Sequence, residues 1–369
     1  EHYSDHYRVF ARFVFIPGLF VLFGGLRAMH GHTLFRVVLA YMGYLLLSGL
    51  WSQPLDWYRL GQMCTISVYL LAFFAITHHL VHFNGTLFRR SLEFCVLFAA
   101  VAATVNIITF YGEHPFPQKR LEGVGTLTNI NEFAVLYGVF AILAMGFTLD
   151  KKSAGMRPLF LLTLVVFIAF AWFGQSRTAL AALLLALLIQ LGLTLDRRRT
   201  MYLGLGVLVA LLLALLLVFP ESVEQALLRG RGLRPDIWSV VWEQALQAPL
   251  FGNGLVSPLL VETGGRQFAN AHSAYLQVFW QGGAVGLGLF LAVLGVALRH
   301  AWSLARAGGN YTVFCLLLFA AMVMLTDLDT LIARPREQWM LFWFPLAMVL
   351  ALQNPPPASL SRRQAAVGD

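Results

Sequence analysis

Residues 157–195 read RPLFLLTLVVFIAFAWFGQSRTALAALLLALLIQLGLTL, in which two long apolar runs flank a short polar connection. Each run has about the length of an α-helix that crosses a bilayer, roughly 17–25 residues. The runs are continuously apolar and do not alternate in polarity, as the strands of a membrane β-barrel do. The stretch therefore predicts two antiparallel membrane-spanning helices, with Arg177 at the turn between them.

The rest of the chain follows the same pattern. Of its 369 residues, 59% are hydrophobic and 12% are charged, and the mean hydropathy is +0.71, whereas a soluble domain carries about 25% charge. Only helices and closed barrels satisfy their backbone groups in lipid. The sequence predicts an all-α, polytopic transmembrane helical bundle. Its eleven predicted spans are residues 9–25, 35–53, 61–79, 92–111, 132–149, 157–174, 177–195, 201–219, 273–298, 310–326 and 338–353.

Basic residues are unevenly divided between the two sides of the membrane that the alternating connections define. Fourteen lie on one side and eight on the other when the long 220–272 loop is left out. The positive-inside rule assigns the richer side to the cytoplasm, so residue 1 lies outside and Asp369 inside. This arrangement predicts one more helix before Glu1, and twelve spans in the native protein. The net charge of +8 then reflects topology and anionic partners rather than nucleic acid.

One connection, residues 220–272, is long enough to contain a helix of its own. It divides the chain into transmembrane helices at 1–219, an outer loop at 220–272, and transmembrane helices with a cytoplasmic tail at 273–369. Within the loop, a helix that begins near Pro235 carries two tryptophans and ends at Pro249 and the following turn. Such a helix either lies at the membrane interface or packs on the bundle, and the sequence leaves both open.

The polar residues that carry chemistry gather on the outer side. No Asp, Glu, Lys, Arg or His lies near the middle of any predicted span, although ion-coupled transporters usually need such a group. The outer connections contain Lys119, Arg120, Arg177, Arg229, Arg231, Arg234, Arg266, Arg334 and Arg336. Because arginine binds phosphate through two parallel hydrogen bonds, this clustering favours an anionic ligand.

Three polar motifs precede or open spans that run from outside to inside. They are Gly125–Asn131, Ser176–Thr178 and Asn270–Ser273. Free N–H groups and the positive end of the helix dipole face outward at such starts. Helix starts flanked by arginines can hold a large anion. At a membrane edge this predicts a lipid-linked phosphate or pyrophosphate.

Two residues within these motifs are the leading catalytic candidates. His272 stands just above the predicted bilayer, where a neutral imidazole can take a proton from a substrate. A structural polar contact at the helix start is the alternative for His272. Arg177 lies in a very short connection, where desolvation of the guanidinium favours a functional anionic partner. An ion pair with Asp327 or Asp329 is the alternative for Arg177.

Two other clusters contain potential metal ligands, but other interpretations fit them better. Asp327-Leu328-Asp329 is similar to the Asp-x-Asp metal motif of some sugar transferases. Arg334 and Arg336 offer nearby partners, which favours a salt-bridged loop. The three histidines within 78–82 lie at a predicted cytoplasmic helix end without a nearby carboxylate. The sequence thus predicts no metal and no cofactor, and it leaves Asp327 as a possible support for His272.

Taken together, these residues resemble the O-antigen ligase and O-antigen polymerase superfamily of bacterial envelope enzymes. The resemblance runs from about residue 110 to residue 353 and depends on three pieces of sequence. One departure is Ile130, where many members have proline. The matching residues are Arg120, Gly125, Thr126, Asn129, Asn131 and Ala134, then 175–179, then Arg234, Trp238, Pro249, Gly252, Gly254, 272–276, Gly283, Gly286 and Phe290.

The resemblance implies an enzyme of the bacterial inner membrane, embedded in its lipid, whose active site faces the periplasm. The implied donor is O-antigen polysaccharide on undecaprenyl pyrophosphate, and the implied acceptor of a ligase is lipid A–core oligosaccharide. The late position of the long loop and the compact chain favour a ligase. The alternatives are an O-antigen polymerase, a protein O-oligosaccharyltransferase and, in a different class, a lipid-linked oligosaccharide flippase or other transporter.

The resemblance, combined with the chemistry of these side chains, implies a metal-independent transfer that inverts the anomeric carbon. His272 acts as the general base that takes the proton of the attacking hydroxyl. Arg177 is catalytic because it stabilises the leaving pyrophosphate. Asn131 and Asp327 support these groups. The arginines that the interpretation assigns to pyrophosphate binding are Arg177, Arg234, Arg231, Arg266 and Arg120.

Overall fold

The apolar runs fold as helices, which satisfy every backbone group within one segment. The computed structural model describes residues 15–114, 119–122, 130–195, 232–328 and 330–353. Short 3₁₀ turns lie at Gly49–Trp51 and Lys151–Met156, and a π-helical turn lies at Trp339–Trp343. The α-helices are α1 (Ile16–Met29), α2 (Thr33–Ser48), α3 (Trp57–Phe83), α4 (Gly85–Glu113), α5 (Ile130–Leu149), α6 (Arg157–Phe173), α7 (Arg177–Thr194), α8 (Arg234–Ala245), α9 (Ala274–Gly308), α10 (Thr312–Met324) and α11 (Phe344–Gln353).

Seven helical segments in the described ranges are long and apolar enough to cross a membrane. They are Thr33–Trp51, Trp57–Phe83, Gly85–Glu113, Asn131–Leu149, Lys151–Phe173, Arg177–Thr194 and Ala274–Gly308. Shorter apolar helices at Gly18–Met29, Thr312–Met324 and Trp339–Gln353 lie where further spans are predicted. The predicted polytopic α-helical membrane fold is confirmed.

Several predicted spans are shorter than the helices that contain them. The span predicted at 92–111 lies within Gly85–Glu113. The span predicted at 273–298 begins at Ser273, the N-cap of a helix that runs from Ala274 to Gly308. A helix can extend beyond its apolar run because its backbone stays hydrogen-bonded internally whatever the side chains are. The predicted span 201–219 lies outside the described residues.

Small residues let the central helices approach one another closely. Helix α5 packs against α6, α7 and α10. Gly138 faces the ring of Phe319 and Gly146 faces Thr312, so a methyl group on either glycine would collide with α10. Helices in lipid associate through such close packing because the lipid itself is apolar and provides no hydrophobic driving force. This packing fixes the helix ends that carry the polar motifs.

Helix α9 is interrupted at Gly283, whose φ of 59° and ψ of −161° are not helical. An inserted loop, residues 249–257, supplies hydrogen bonds at this break. The Ala284 N–H donates to the Pro249 carbonyl at 2.8 Å, and the Gly254 N–H donates to the Gln281 carbonyl at 2.9 Å. Non-helical backbone is tolerated within a membrane bundle only where protein satisfies it in this way.

The inserted loop is also anchored to α2. The Ser48 hydroxyl accepts a hydrogen bond from the Leu255 N–H at 3.1 Å, and the Ser52 hydroxyl accepts one from the Val256 N–H at 3.1 Å. Tyr44 donates to the Gly282 carbonyl at 2.7 Å, directly beside the break in α9. The loop therefore joins the end of α2 and the turn after it to the break in α9.

The described part of the outer loop forms a small lobe on the start of α9. Helix α8 ends at Ala245, four residues before Pro249, so the predicted end of this helix was wrong. Trp242 stacks on Phe279 of α9 with 5.2 Å between ring centroids. The sequence left open whether this helix lies at the membrane interface or packs on the bundle, and the structure shows that it packs on the bundle. The core of the lobe consists of Ile237, Val241, Ala245, Leu259, Val261, Ala271, Phe279 and Trp280.

A short antiparallel hairpin completes the lobe, and the all-α prediction did not include it. Strand β1 is Val261–Thr263 and strand β2 is Arg266–Phe268, with Val261 opposite Phe268. Three-residue strands are too short to show the alternation of polarity by which strands are found in a sequence. The hairpin leads directly into the Asn270–Ser273 motif.

Candidate functional site

Two adjoining cavities lie at the end of the bundle where α5, α7 and α9 begin. The large cavity has a volume of about 620 Å³ and the small cavity has a volume of about 210 Å³. Asn131, at the start of α5, lines both of them. The large cavity is also lined by Arg120, Gln175, Arg177, Arg234, Trp238 and Thr326. The small cavity is also lined by Glu132, Asn270, His272, Asp327, Arg336 and Glu337.

Arg177 is the first residue of α7 and its side chain is exposed in the large cavity. The tight turn after α6 sets its position. In that turn, Gln175 has a positive φ of 49°. Next to it, the buried Ser176 donates a hydrogen bond from its hydroxyl to Oδ1 of Asn131 at 3.2 Å. Two of the polar motifs, at the starts of α5 and α7, are therefore joined directly.

Arg120 lines the large cavity beside Arg177, but its guanidinium already has a protein partner. Its Nε and Nη2 atoms donate to the carbonyl of Gly174 at 3.1 and 3.0 Å. This carbonyl lies at the C-terminal end of α6, where helix carbonyls lack partners within the helix and attract cations. Arg120 thus caps α6 as well as adding positive charge to the cavity wall.

Arg234 opens α8 and connects the two cavities through an ion pair. Its Nη2 atom lies 3.3 Å from Oδ2 of Asp327, with the two side chains 31% and 22% exposed. Asp327 is therefore in an ion pair, but its partner comes from α8, 93 residues away in the chain. Arg336 forms ion pairs with Glu132 and Glu337. A salt-bridged loop that includes Asp329 stays a prediction, because Asp329 lies outside the described residues.

His272 lines the small cavity and is held by its neighbours in the chain. Its N–H donates to Oδ1 of Asn270 at 3.1 Å, and its ring meets Phe268 edge-on with 5.9 Å between centroids. The preceding Ala271 is buried, with its carbonyl accepting from Nε1 of Trp238 at 3.1 Å and its N–H donating to Gln277 at 3.0 Å. These contacts fix the backbone from which the imidazole projects.

Backbone strain is concentrated in this region. The non-glycine residues with positive φ in the described part of the chain are Gln175 at 49°, His272 at 47° and Leu328 at 67°. All three line one of the two cavities. Residues other than glycine adopt such angles at an energetic cost, and they cluster at sites where side-chain placement matters more than local stability.

The structure brings together most of the residues that the sequence singles out. Arg120, Arg177 and Arg234 share the large cavity, while His272 and Asp327 share the small one. Arg266 is exposed at the start of β2 and is not among the residues that line either cavity, so its role in pyrophosphate binding stays a prediction. Arg231 and Asp329 lie outside the described residues.

Sequence reasoning missed several polar residues that line the cavities. In the small cavity these are Glu132 and Glu337, and the pairing of Glu132 with Arg336 was also not predicted. In the large cavity, Nε2 of Gln175 and Oγ1 of Thr326 are buried without a hydrogen-bond partner within the described structure. Glu132 could have been proposed as a partner of Arg336 from their opposite charges, because both residues lie next to outer ends of predicted spans.

The two cavities differ in charge. Over the described residues, the lining of the large cavity includes three arginines and no carboxylate. The lining of the small cavity includes the carboxylates of Glu132, Asp327 and Glu337, together with Arg336 and His272. The described ranges contain no group of three or more His, Cys, Asp or Glu side chains arranged to hold a metal ion. The large cavity therefore suits an anion.

These features define a multi-pass α-helical membrane protein with an arginine-lined cavity and an imidazole at one end of its bundle. Residues 160–291, which include Arg177, Arg234 and His272, match the family model of the O-antigen ligase. Over 367 residues the chain is 29% identical to an O-antigen ligase of Pseudomonas aeruginosa, a match that covers 98% of this chain and 88% of the relative. The resemblance to the O-antigen ligase family is confirmed.

Proposed function

We propose that this protein transfers O-antigen polysaccharide from undecaprenyl pyrophosphate to lipid A–core oligosaccharide. The match to O-antigen ligases supports this choice of substrates. The observation that supports the site most strongly is the shared wall at Asn131, which joins an arginine-lined cavity to the cavity that contains His272. A transferase needs this adjacency, because the leaving group and the attacking group must meet at one carbon.

The large cavity is the proposed site of the donor's pyrophosphate. Arg177 and Arg234 provide guanidinium groups there, and guanidinium binds phosphate oxygens through paired hydrogen bonds. Buried polar atoms nearly always have hydrogen-bond partners. In the wall of this cavity, however, Nε2 of Gln175 and Oγ1 of Thr326 are buried without a hydrogen-bond partner within the described structure. A ligand that turned these side chains toward itself would supply the missing hydrogen bonds. Their state therefore supports a polar occupant of the large cavity.

His272 is the proposed general base. In the reaction, the bond between the anomeric carbon and the pyrophosphate oxygen breaks, and a bond from the acceptor oxygen to that carbon forms. The proton of the acceptor hydroxyl passes to the imidazole of His272, and the electron pair of the broken bond leaves with undecaprenyl pyrophosphate. Attack from the side opposite the leaving group inverts the anomeric carbon.

The arginines supply the second part of catalysis by stabilising negative charge as the pyrophosphate departs. Pyrophosphate is already a good leaving group, so charge stabilisation matters more than protonation of the leaving oxygen. Asp327 limits the movement of Arg234 through their ion pair at 3.3 Å. Asn131, which accepts a hydrogen bond from Ser176 at 3.2 Å, is the proposed support of the wall between donor and acceptor.

The membrane location is part of the proposal. The positive-inside rule favours a periplasmic position for the end of the bundle that carries both cavities. The proposed membrane is the bacterial inner membrane, where a lipid-linked donor would enter from the outer leaflet. The chain division at 1–219, 220–272 and 273–369 remains a prediction, with 220–272 as the periplasmic loop.

A reconstitution experiment tests the proposed function. The purified protein in detergent is mixed with undecaprenyl-pyrophosphate-linked O-antigen and lipid A–core, and ligated product is measured. We expect product without any separation into two compartments, because the reaction is chemical transfer rather than transport. Replacing lipid A–core by a second lipid-linked repeat, or by a peptide that contains serine and threonine, tests the polymerase and protein-transferase alternatives. Product with either of those acceptors and none with lipid A–core would contradict the ligase assignment.

A further inference from the structure

The small cavity differs from the large cavity in the charge of its lining, and this difference indicates which substrate each cavity binds. It contains three carboxylates against one arginine, whereas the arginine-bearing cavity beside it contains no carboxylate among its described lining residues. A pyrophosphate in the small cavity would lie against Glu132, Asp327 and Glu337 and would be repelled. Charge therefore assigns the phosphorylated end of the donor to the large cavity alone.

The polar side chains of the small cavity suit hydroxyl groups. Carboxylates accept hydrogen bonds from hydroxyls, and the amides of Asn131 and Asn270 can both donate and accept. Hydrogen bonds to a charged group are about twice as strong as those between neutral groups. A neutral, polyhydroxylated sugar therefore fits this lining better than an apolar or anionic group.

The carboxylates are held in place before any ligand binds. Arg336 pairs with Glu132 at the start of α5 and with Glu337 next to it in the chain. The side chain of Glu337 is only 9% exposed, so it is fixed among neighbouring groups rather than solvated. Groups that are fixed in advance lose little freedom on binding, which strengthens recognition. The Glu132–Arg336–Glu337 cluster thus has the properties of a preformed recognition surface.

The position of His272 connects this surface to the reaction. His272 lines the same small cavity as the cluster, and Asn131 forms the wall shared with the large cavity. A sugar bound against Glu132 and Glu337 would present a hydroxyl to the imidazole, on the side facing the donor. The small cavity, with a volume of about 210 Å³, would admit the terminal part of an oligosaccharide rather than its whole length.

We propose that the small cavity is the acceptor subsite, where Glu337 and the Glu132–Arg336 ion pair select a neutral polyhydroxylated sugar and direct its hydroxyl toward His272. This inference depends on the proposed function, since it assigns the second substrate of that reaction. It adds specificity-determining residues that touch the acceptor but leave the donor's pyrophosphate untouched.

The test compares Glu337→Gln with a matched control, Glu262→Gln. Glu262 lies in β1, is exposed, and lines neither cavity, so its substitution removes one charge from the same outer face. The loss of a charged hydrogen bond weakens binding by about tenfold or more. We expect Glu337→Gln to raise the KM for lipid A–core by about that factor, with the donor KM unchanged within about twofold. Glu262→Gln should leave both constants unchanged.

A second variant keeps the test decisive if Glu337→Gln does not fold. Glu132→Gln changes the other partner of Arg336 and should raise the acceptor KM in the same way, while the protein remains monodisperse in detergent. An increase in the donor KM, or no change in either constant with folded variants, would overturn the acceptor assignment.

Binding measurements separate failure of this inference from failure of the proposed function. Lipid A–core and a short-chain polyprenyl pyrophosphate are titrated separately into the His272→Ala protein and into its double variant with Glu337→Gln. We expect the double variant to bind lipid A–core about tenfold more weakly, and the pyrophosphate equally well. If Glu337→Gln weakens only the binding of lipid A–core, and the wild type makes no ligated product, the transfer reaction is rejected and the acceptor subsite is retained. If the wild type makes ligated product, but the His272→Ala protein and the double variant bind lipid A–core equally well, the acceptor subsite is rejected and the proposed function is retained.

Discussion

Replacement of Gly283 by alanine should release the inserted loop from the break in α9. Gly283 has φ 59° and ψ −161°, a combination that is essentially restricted to glycine. A Cβ atom there would also lie against the carbonyl of Leu250 and the backbone of Gly252. The backbone must therefore move, and the inserted loop must move with it.

The size of the effect follows from these contacts. Forcing a non-glycine residue into this region of φ and ψ costs about 1–3 kcal/mol. Moving the loop away also breaks the bonds from the Ala284 N–H to Pro249 at 2.8 Å and from the Val285 N–H to Leu250 at 3.2 Å. Each such bond contributes about 1 kcal/mol. We therefore expect Gly283→Ala to lower stability by about 3–5 kcal/mol.

Gly295 is the matched control, because it lies in the same helix and a methyl group added to it would have no other side chain or neighbouring helix within 4 Å. Alanine there should be neutral or stabilising by up to about 1 kcal/mol, since glycine weakens a helix interior. Thermal unfolding of the two purified variants in detergent measures the difference, and limited proteolysis shows whether residues 249–257 become accessible. Equal melting temperatures for Gly283→Ala and Gly295→Ala would refute this interpretation of the break.

Three further predictions concern the site. Arg177→Lys keeps the charge but loses the paired hydrogen bonds of guanidinium, so transfer should fall by about 10²–10³-fold, and single-turnover kinetics that match the wild type would contradict the assignment. Asp327→Asn removes the ion partner of Arg234 at 3.3 Å and should lower the free energy of unfolding by about 1 kcal/mol, as both side chains are partly exposed; an unchanged melting temperature would show that the pair is not stabilising. Transfer should survive treatment with EDTA, and activity that is lost and then restored by Mg²⁺ would revive a metal role for the Asp-x-Asp motif.

Much of the fold could be predicted because hydropathy reports directly on burial in lipid. The run at 157–195 indicated two helices and a tight turn whose arginine the structure places at a cavity. Alternation of the spans also predicted that the starts of α5, α7 and α9 lie at the same end of the bundle. Both features follow from the local sequence alone, and for that reason they could be predicted.

The features that escaped prediction depend on contacts between distant segments. The break at Gly283 is stabilised by hydrogen bonds from residues 249–257. A glycine-rich helix without such a partner keeps its own backbone hydrogen bonds and stays helical. Arg336 and Glu132 are 204 residues apart, so their pairing follows from packing rather than from any local pattern. The positive φ of His272 likewise depends on Ala271 being held by Trp238 and Gln277.

The central claim is that an arginine-lined cavity and an imidazole act on one lipid-linked donor. Its most direct test is to measure transfer and donor binding together in the His272→Ala protein, with undecaprenyl-pyrophosphate-linked O-antigen and lipid A–core. Loss of a general base lowers rates by about 10²–10⁴-fold, so we expect transfer to fall by that factor while donor affinity stays unchanged. Transfer close to the wild-type rate would contradict the account.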